Sequence, residues 1–174
     1  MMTQTSYERF PLRITIPVVL FNLLLYALGA YILLRIHVAA TILYLGYCAV
    51  IQVNVMRRSC RSCYYYGKNC AFGIGALSAR LFTRQDPASF VNKDVSPLTM
   101  IPDFLVVIIP VLAGIVSAIL SFSWLYLGVV LAFLLLYLMG TAAVRGSVAC
   151  KYCRQRELGC PAAQMFFKQS KEST

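Results

Sequence analysis

Ile14 to Leu34 reads ITIPVVLFNLLLYALGAYILL, with no charged side chain between Arg13 and Arg35. A helix needs about 20 predominantly apolar residues to cross a hydrocarbon core. The stretch therefore predicts a transmembrane helix, with Asn22 as its main polar interruption. It is longer than the apolar region of a secretory signal, about 7–15 residues. We read it as a retained span, although Ala27, Gly29 and Ala30 could imitate a cleavage site. On its N-terminal side lies a short polar lead, residues 1–13, in which Pro11 discourages a continuing helix. On its C-terminal side, Arg35-Ile36-His37 leaves room only for a tight turn before a second uncharged run, Val38 to Met56. His37, on that turn, reads as an interfacial residue and not as a ligand.

Two more spans follow, roughly 101–120, with Pro102, Asp103 and Pro110, and 124–144, joined by Ser121-Phe122-Ser123. The predicted fold is an all-α membrane protein of four transmembrane helices, arranged as two parallel hairpin repeats with a cysteine-rich cytoplasmic cap. Its segments are a lead 1–13, hairpin one 14–56, a cysteine-rich loop 57–96, hairpin two 97–144 and a cysteine-rich tail 145–174. Composition agrees with lipid as the surrounding solvent. The chain is 60% hydrophobic and 13% charged, against about 25% charge in soluble domains.

The net charge of +10 is distributed unevenly. Arg9 and Arg13 precede the first span, and Arg35 alone lies between the first and second. The loop carries Arg57, Arg58, Arg61, Lys68, Arg80, Arg84 and Lys93. No lysine or arginine separates spans three and four, and Arg145, Lys151, Arg154, Arg156, Lys168 and Lys171 follow them. Basic loops stay cytoplasmic, so lead, loop and tail are predicted inside the cell membrane, with both termini cytoplasmic. The bilayer is then one partner. Anionic headgroups beside the basic face are another.

Loop and tail share a motif. Cys60-Arg-Ser-Cys63-Tyr-Tyr-Tyr-Gly-Lys-Asn-Cys70 and Cys150-Lys-Tyr-Cys153-Arg-Gln-Arg-Glu-Leu-Gly-Cys160 both read C-x2-C-x6-C. Each follows a long apolar run ending in arginine, and each half contains Leu-Tyr-Leu-Gly, at Leu43–Gly46 and Leu125–Gly128. The copies are not in perfect register, since Gly46 lies 14 residues before Cys60 and Gly128 lies 22 before Cys150. Halves that each cross twice share one orientation, so a symmetry axis between them runs along the membrane normal and brings the triplets together.

Structural disulfides are rare in a reducing cytoplasm. Exposed thiols among many cations are expected to have lowered pKa values and to oxidise readily. Metal ligation removes both difficulties. The candidate ligands are Cys60, Cys63, Cys70, Cys150, Cys153 and Cys160. One option is a single four-thiolate site from Cys60, Cys63, Cys150 and Cys153. Another uses all six, two of them bridging two tetrahedral zinc ions. Cys48, inside span two, reads as an ordinary buried thiol.

The segment Ala149-Cys150-x-x-Cys153-Arg154-x-Arg156-x-Leu158-x-Cys160 resembles half of the binuclear zinc cluster of fungal transcription factors. The resemblance covers about eleven residues per half. It implies bridging thiolates at Cys60 and Cys150 and terminal ones at the other four cysteines. The chain departs from that family in the 79 residues, two spans among them, that separate Cys70 from Cys150. It also carries an unfamiliar Tyr64-Tyr65-Tyr66 run. The implication extends to cluster geometry and not to DNA binding.

Zinc is favoured, and an iron–sulfur cluster is the alternative, although the spacing is not a ferredoxin run. The basic side chains near the triplets would neutralise a thiolate centre, and topology with lipid contact accounts for them equally well. Tyr64–Tyr66 and Trp124 fit aromatic belts. Ala71–Phe82 reads as a short interfacial helix with Phe72, Leu77 and Leu81, weakened by Gly73 and Gly75. Asn22, Gln52 and Asn54 could bond between helices, Gly29, Gly46, Gly114, Gly128 and Gly140 could let helices approach, and Asp103 reads as a cap or an arginine partner.

Six acidic residues and one histidine leave little acid–base capacity. No phosphate loop, hydrolytic triad, paired carboxylates or zinc-protease motif is present. The expectation is therefore a non-enzymatic, metal-binding membrane module that presents its basic face to lipid or to an unidentified protein. A membrane redox protein with an iron–sulfur centre or reactive thiols is the alternative. Nucleic acid is not an expected partner.

Overall fold

The computed structural model describes residues 6–91, 97–121 and 124–160. The Phe122-Ser123 connection and the tail beyond Cys160 lie outside the described residues. The described chain is helical, and its one β-contact is an isolated parallel bridge between Tyr7 and Cys153.

Four helices are long and apolar enough to cross a membrane, which fits an integral membrane protein. The first, α1 (Leu12–Leu34), starts directly after Pro11, whose carbonyl accepts from the Ile14 and Thr15 amides at 2.9 and 3.2 Å. The second, α2 (Val38–Arg58), follows the tight turn. There His37 Nδ1 accepts from the Ala39 amide at 3.1 Å, so the lone histidine caps a helix. A short α3 (Ile74–Leu81) and a single-turn α4 (Ala88–Val91) occupy the loop. Asp86-Pro87 leads into α4, with Asp86 Oδ1 accepting from the Ala88 amide at 3.0 Å.

The third span, α5 (Pro97–Ser121), begins at its proline, four residues earlier than the hydropathy suggested. The fourth, α6 (Trp124–Leu135), does not stop near Arg145. It continues as a wide π-turn Leu136–Gly140, a short α7 (Thr141–Ala143) and a second π-turn Val144–Ala149. A π-type bond from the Cys150 amide to the Arg145 carbonyl (2.8 Å) carries the helix directly into the second triplet. An arginine that ends an apolar run does not by itself end a helix.

The chain divides into two compact units. One comprises Leu20–Val53 and Pro97–Ala142, the helical bundle. Its core packs Leu25 and Ile32 of α1 against Val107 and Ala118 of α5 and Tyr126, Val130 and Phe133 of α6. The outward faces are equally apolar, with Leu43 74%, Ile119 69% and Leu120 82% exposed. So much exposed leucine and isoleucine needs lipid as its solvent.

The two Leu-Tyr-Leu-Gly tyrosines make related bonds inside this bundle. Tyr44 of α2 donates to the Val106 carbonyl of α5 at 3.0 Å, and Tyr126 of α6 donates to the Ile32 carbonyl of α1 at 2.5 Å. Each hairpin thus sends the same tyrosine to the first helix of the other. Gln52 Nε2 donates to the Tyr26 hydroxyl, as its interhelical reading anticipated. The glycines divide. A Cβ on Gly29 would meet Tyr44 Oη at 2.4 Å, on Gly114 Val130 Cγ2 at 2.5 Å, and on Gly140 Phe21 Cζ at 2.3 Å. Gly46 and Gly128, which end the repeated tetrapeptides, have nothing within 4 Å and mediate no close approach.

The contrast gives a test. Gly114→Val should destabilise the bundle by about 1–3 kcal/mol through overpacking. Gly128→Val should leave the melting temperature in detergent within error of the parent. Equal melting shifts for the two variants would contradict this packing.

Candidate functional site

The other unit comprises residues up to Val19, Asn54–Ser96 and Ala143 onward, and it holds all six clustered cysteines. Both triplets begin at the end of a long helix. Cys60 follows Arg58 by two residues, and Cys150 follows Ala149 directly. They then fold alike. The Cys63 amide donates to the Cys60 carbonyl at 3.3 Å, and the Cys153 amide to the Cys150 carbonyl at 3.4 Å. Next, the Tyr66 amide donates to the Cys63 carbonyl and the Arg156 amide to the Cys153 carbonyl, both at 3.1 Å. Cys63 and Cys153 are both extended, at φ −77°, ψ 150° and φ −83°, ψ 119°. Two segments distant in sequence thus share one hydrogen-bonded turn.

The turns are also bonded to each other, through the residues just after Cys63 and Cys153. The Tyr64 amide donates to Gln155 Oε1 at 2.7 Å, and the Arg154 amide donates to the Tyr65 hydroxyl at 3.0 Å. Gln155 is buried because its carboxamide closes this contact. The Tyr65 hydroxyl in turn donates to the Tyr7 carbonyl at 2.5 Å.

The lead is therefore not a detached polar segment. The Tyr7 amide donates to the Tyr152 carbonyl and the Phe10 amide to the Asn69 carbonyl, each at 3.0 Å, so one short segment is bonded to both triplets. Phe10, Tyr65, Ala71 and Ala149 form a buried cluster, against which Cys63, Cys70 and Cys153 pack. Tyr65, at 2% exposure, belongs to this core and not to an interfacial belt. Tyr64 lies beneath cations, with Lys68 Nζ 4.1 Å and Arg154 Cζ 5.3 Å from its ring centroid.

From below, α1 and α3 support the first triplet. Thr15 Oγ1 of α1 donates to the Cys70 carbonyl at 3.2 Å. The Gly75 amide of α3 donates to Cys70 Sγ at 3.3 Å. Gly73 precedes α3 at φ +74°, and Gly75 admits the loop so closely that a Cβ would stand 2.4 Å from the Tyr65 carbonyl oxygen. The two glycines that weakened the helix in the sequence are what let it pack here.

No disulfide joins the cysteines. Cys63, Cys150 and Cys153 are not activated in the way the neighbouring cations led us to expect. Burial pushes Cys63 up to about 11, and Cys70 and Cys160 add to the shift by charge repulsion. Burial pushes Cys153 up to about 12, reinforced by Cys63 and Cys150. Cys150 is also raised by burial and by Cys160, against the opposing pull of Arg145 and Arg156. Desolvation outweighs the arginines because these sit at the rim while the sulfurs face the core. The same repulsions couple Cys63 to Cys70 and Cys160, Cys153 to Cys63 and Cys150, and Cys150 to Cys160, so the two triplets lie within electrostatic reach of each other.

Among the described residues, no three Cys, His, Asp or Glu side chains converge closely enough to hold a metal ion in this conformation. The sequence brought out the cysteines. It did not bring out Tyr7, Phe10 or Gln155, whose only signal was two aromatic residues in an otherwise polar lead. No protein family, curated protein or solved structure matches the chain.

Two outcomes follow from this geometry. Tyr65→Phe leaves the Arg154 amide and Tyr7 carbonyl without their partner, and should loosen this unit by about 1–3 kcal/mol. Hydrogen exchange at Arg154 should accelerate while that of the α5 amides stays unchanged. Because folding raises the Cys63 and Cys153 pKa values from 9.0 to about 11 and 12, their stabilisation is present below pH 9 and lost as pH rises through that window. Reduced, metal-free protein should accordingly alkylate these two cysteines more slowly at pH 8 when folded than in urea.

Proposed function

We propose that this chain is an integral membrane protein whose two cysteine triplets jointly bind metal, with zinc favoured, as a structural and interaction module. One observation carries the reading. The triplets fold into the same hydrogen-bonded turn and are joined by the Tyr64–Gln155 and Tyr65–Arg154 bonds. A C-x2-C turn lets two sulfurs converge on one ion, and two such turns supply a tetrahedral thiolate site. The matching bonds of Tyr44 and Tyr126 support two duplicated hairpins in the bundle.

Cys60, Cys63, Cys70, Cys150, Cys153 and Cys160 are the ligand set. In the conformation described, their side chains have not closed to bonding distance. Ion binding draws them inward and displaces the protons that burial holds on Cys63 and Cys153. The metal then fastens loop to tail. The module lies on the cytoplasmic face, in keeping with the basic loops. Arg57, Arg58, Arg61 and Lys151 offset the thiolate charge and face anionic headgroups or a protein partner.

Anaerobic purification followed by elemental analysis and absorption spectroscopy tests this reading. Colourless protein with one or two zinc ions per chain is the expected result, lost on pairing Cys63→Ser with Cys153→Ser. Brown protein containing iron and sulfide would replace zinc with an iron–sulfur centre, and with it the module with an electron carrier. Protein that takes up neither metal leaves the triplets as a hydrogen-bonded clasp alone.

A further inference from the structure

Ser78, in the middle of α3, is fully buried, with 0% of its surface exposed. Its hydroxyl is the one buried side-chain polar atom among the described residues that has no hydrogen-bond partner. A serine inside a helix ordinarily bonds back to its own preceding turn or turns outward to water. Ser78 does neither, and an orphaned buried group points to a missing ion or ligand as one of its few explanations.

The position is specific. Ser78 lies three residues after Gly75 and therefore on the same face of α3. At Gly75 that face meets the Tyr65 and Lys68 carbonyls, to which a Cβ would come within 2.4 and 2.6 Å. There the Gly75 amide also donates to Cys70 Sγ at 3.3 Å. The same helix packs on the turn Cys60–Ser62, whose Ser62 is itself buried. The side turned away from it, with Leu77 and Arg80, is exposed. The unpartnered hydroxyl therefore belongs to the face around which the first triplet is wrapped.

We propose that Ser78 is a positioning residue of the metal centre, donating its hydroxyl proton to a thiolate sulfur of the first triplet once that sulfur is metal-bound. The inference rests on the metal reading above. A neutral thiol is a weak acceptor, and a metal-bound thiolate carries the charge that makes a hydroxyl donor worth burying. Gly75 N–H and Ser78 Oγ–H, one helical turn apart, then form a two-donor cradle beneath the first triplet. Groups of this kind orient ligands and tune the metal, and their removal costs about 10–100-fold in affinity.

The test uses full-length protein in detergent or nanodiscs and compares the parent with Ser78→Ala and Ser78→Thr. Zinc affinity is measured by competition, cobalt(II) thiolate charge-transfer spectra report the sulfurs, and melting is followed without metal. The expected result has four parts: S78A binds zinc at the parent stoichiometry but about 10–100-fold more weakly, shifts the cobalt band, and melts no lower than the parent when metal-free; S78T restores both affinity and spectrum. Parent-like affinity and spectrum in S78A overturn the role of Ser78 alone and leave the metal centre standing. A lower metal-free melting temperature or misfolding in S78A also overturns it, because the hydroxyl then serves the fold without metal. A parent that takes up neither zinc nor cobalt overturns the centre and this role together.

Discussion

The hydroxyl of Tyr65 joins three stretches of chain that are remote in sequence. It accepts from Arg154 in the tail, donates to Tyr7 in the lead, and belongs to the loop that carries the first triplet. Because the ring is buried, neither bond can be exchanged cheaply for water. The surrounding rings follow the same line. Tyr152 meets Tyr7 at 5.5 Å, Tyr7 meets Phe10 at 5.6 Å, Phe10 meets Tyr65 at 5.4 Å, and Tyr65 meets Tyr64 edge-on at 5.2 Å. This run of aromatic contacts supplies apolar area, and the phenol fixes register. By contrast the exposed Arg154–Glu8 ion pair at the rim, though 2.8 Å long, contributes little in water.

The spans were legible because a hydrocarbon solvent imposes a length and a composition that few other contexts produce. Their arginine-flanked ends were not, since an arginine after an apolar run is not a helix terminus. Span four passes Arg145 and reaches Cys150 through π-turns that no side-chain pattern announces. The cysteine spacing made the repeated turn visible in advance. What joins the turns was hidden, because Tyr65, Gln155 and Phe10 act through backbone groups of distant residues, and a backbone amide leaves no trace in a sequence. The Leu-Tyr-Leu-Gly repeat was half understood. Its tyrosines bridge hairpins, while its glycines touch nothing.

Charge was the least transferable signal. Counting arginines near cysteines suggested acidic, reactive thiols, yet Cys63 and Cys153 hold their protons above the ordinary range. Distance along the chain does not measure dielectric, and a sulfur packed beside Phe10 and Tyr65 experiences desolvation before it experiences a guanidinium at the surface. The same packing makes Cys63 and Cys153 slow to oxidise, since the thiolate is the reactive species.

The attachment of the lead to both triplets has a consequence for how the protein is made. Tyr7 and Phe10 are synthesised before their partners, which arrive in two instalments, Asn69 after the second span and Tyr152 only after the fourth. Until translation has passed the last helix, the aromatic faces of the lead and loop stand without the tail that covers them. The nascent chain therefore spends most of its synthesis with an incomplete cysteine cluster, at the stage when chaperones and membrane insertases are at hand. The lead, loop and tail can therefore close on one another only once the fourth span and the second triplet have been made.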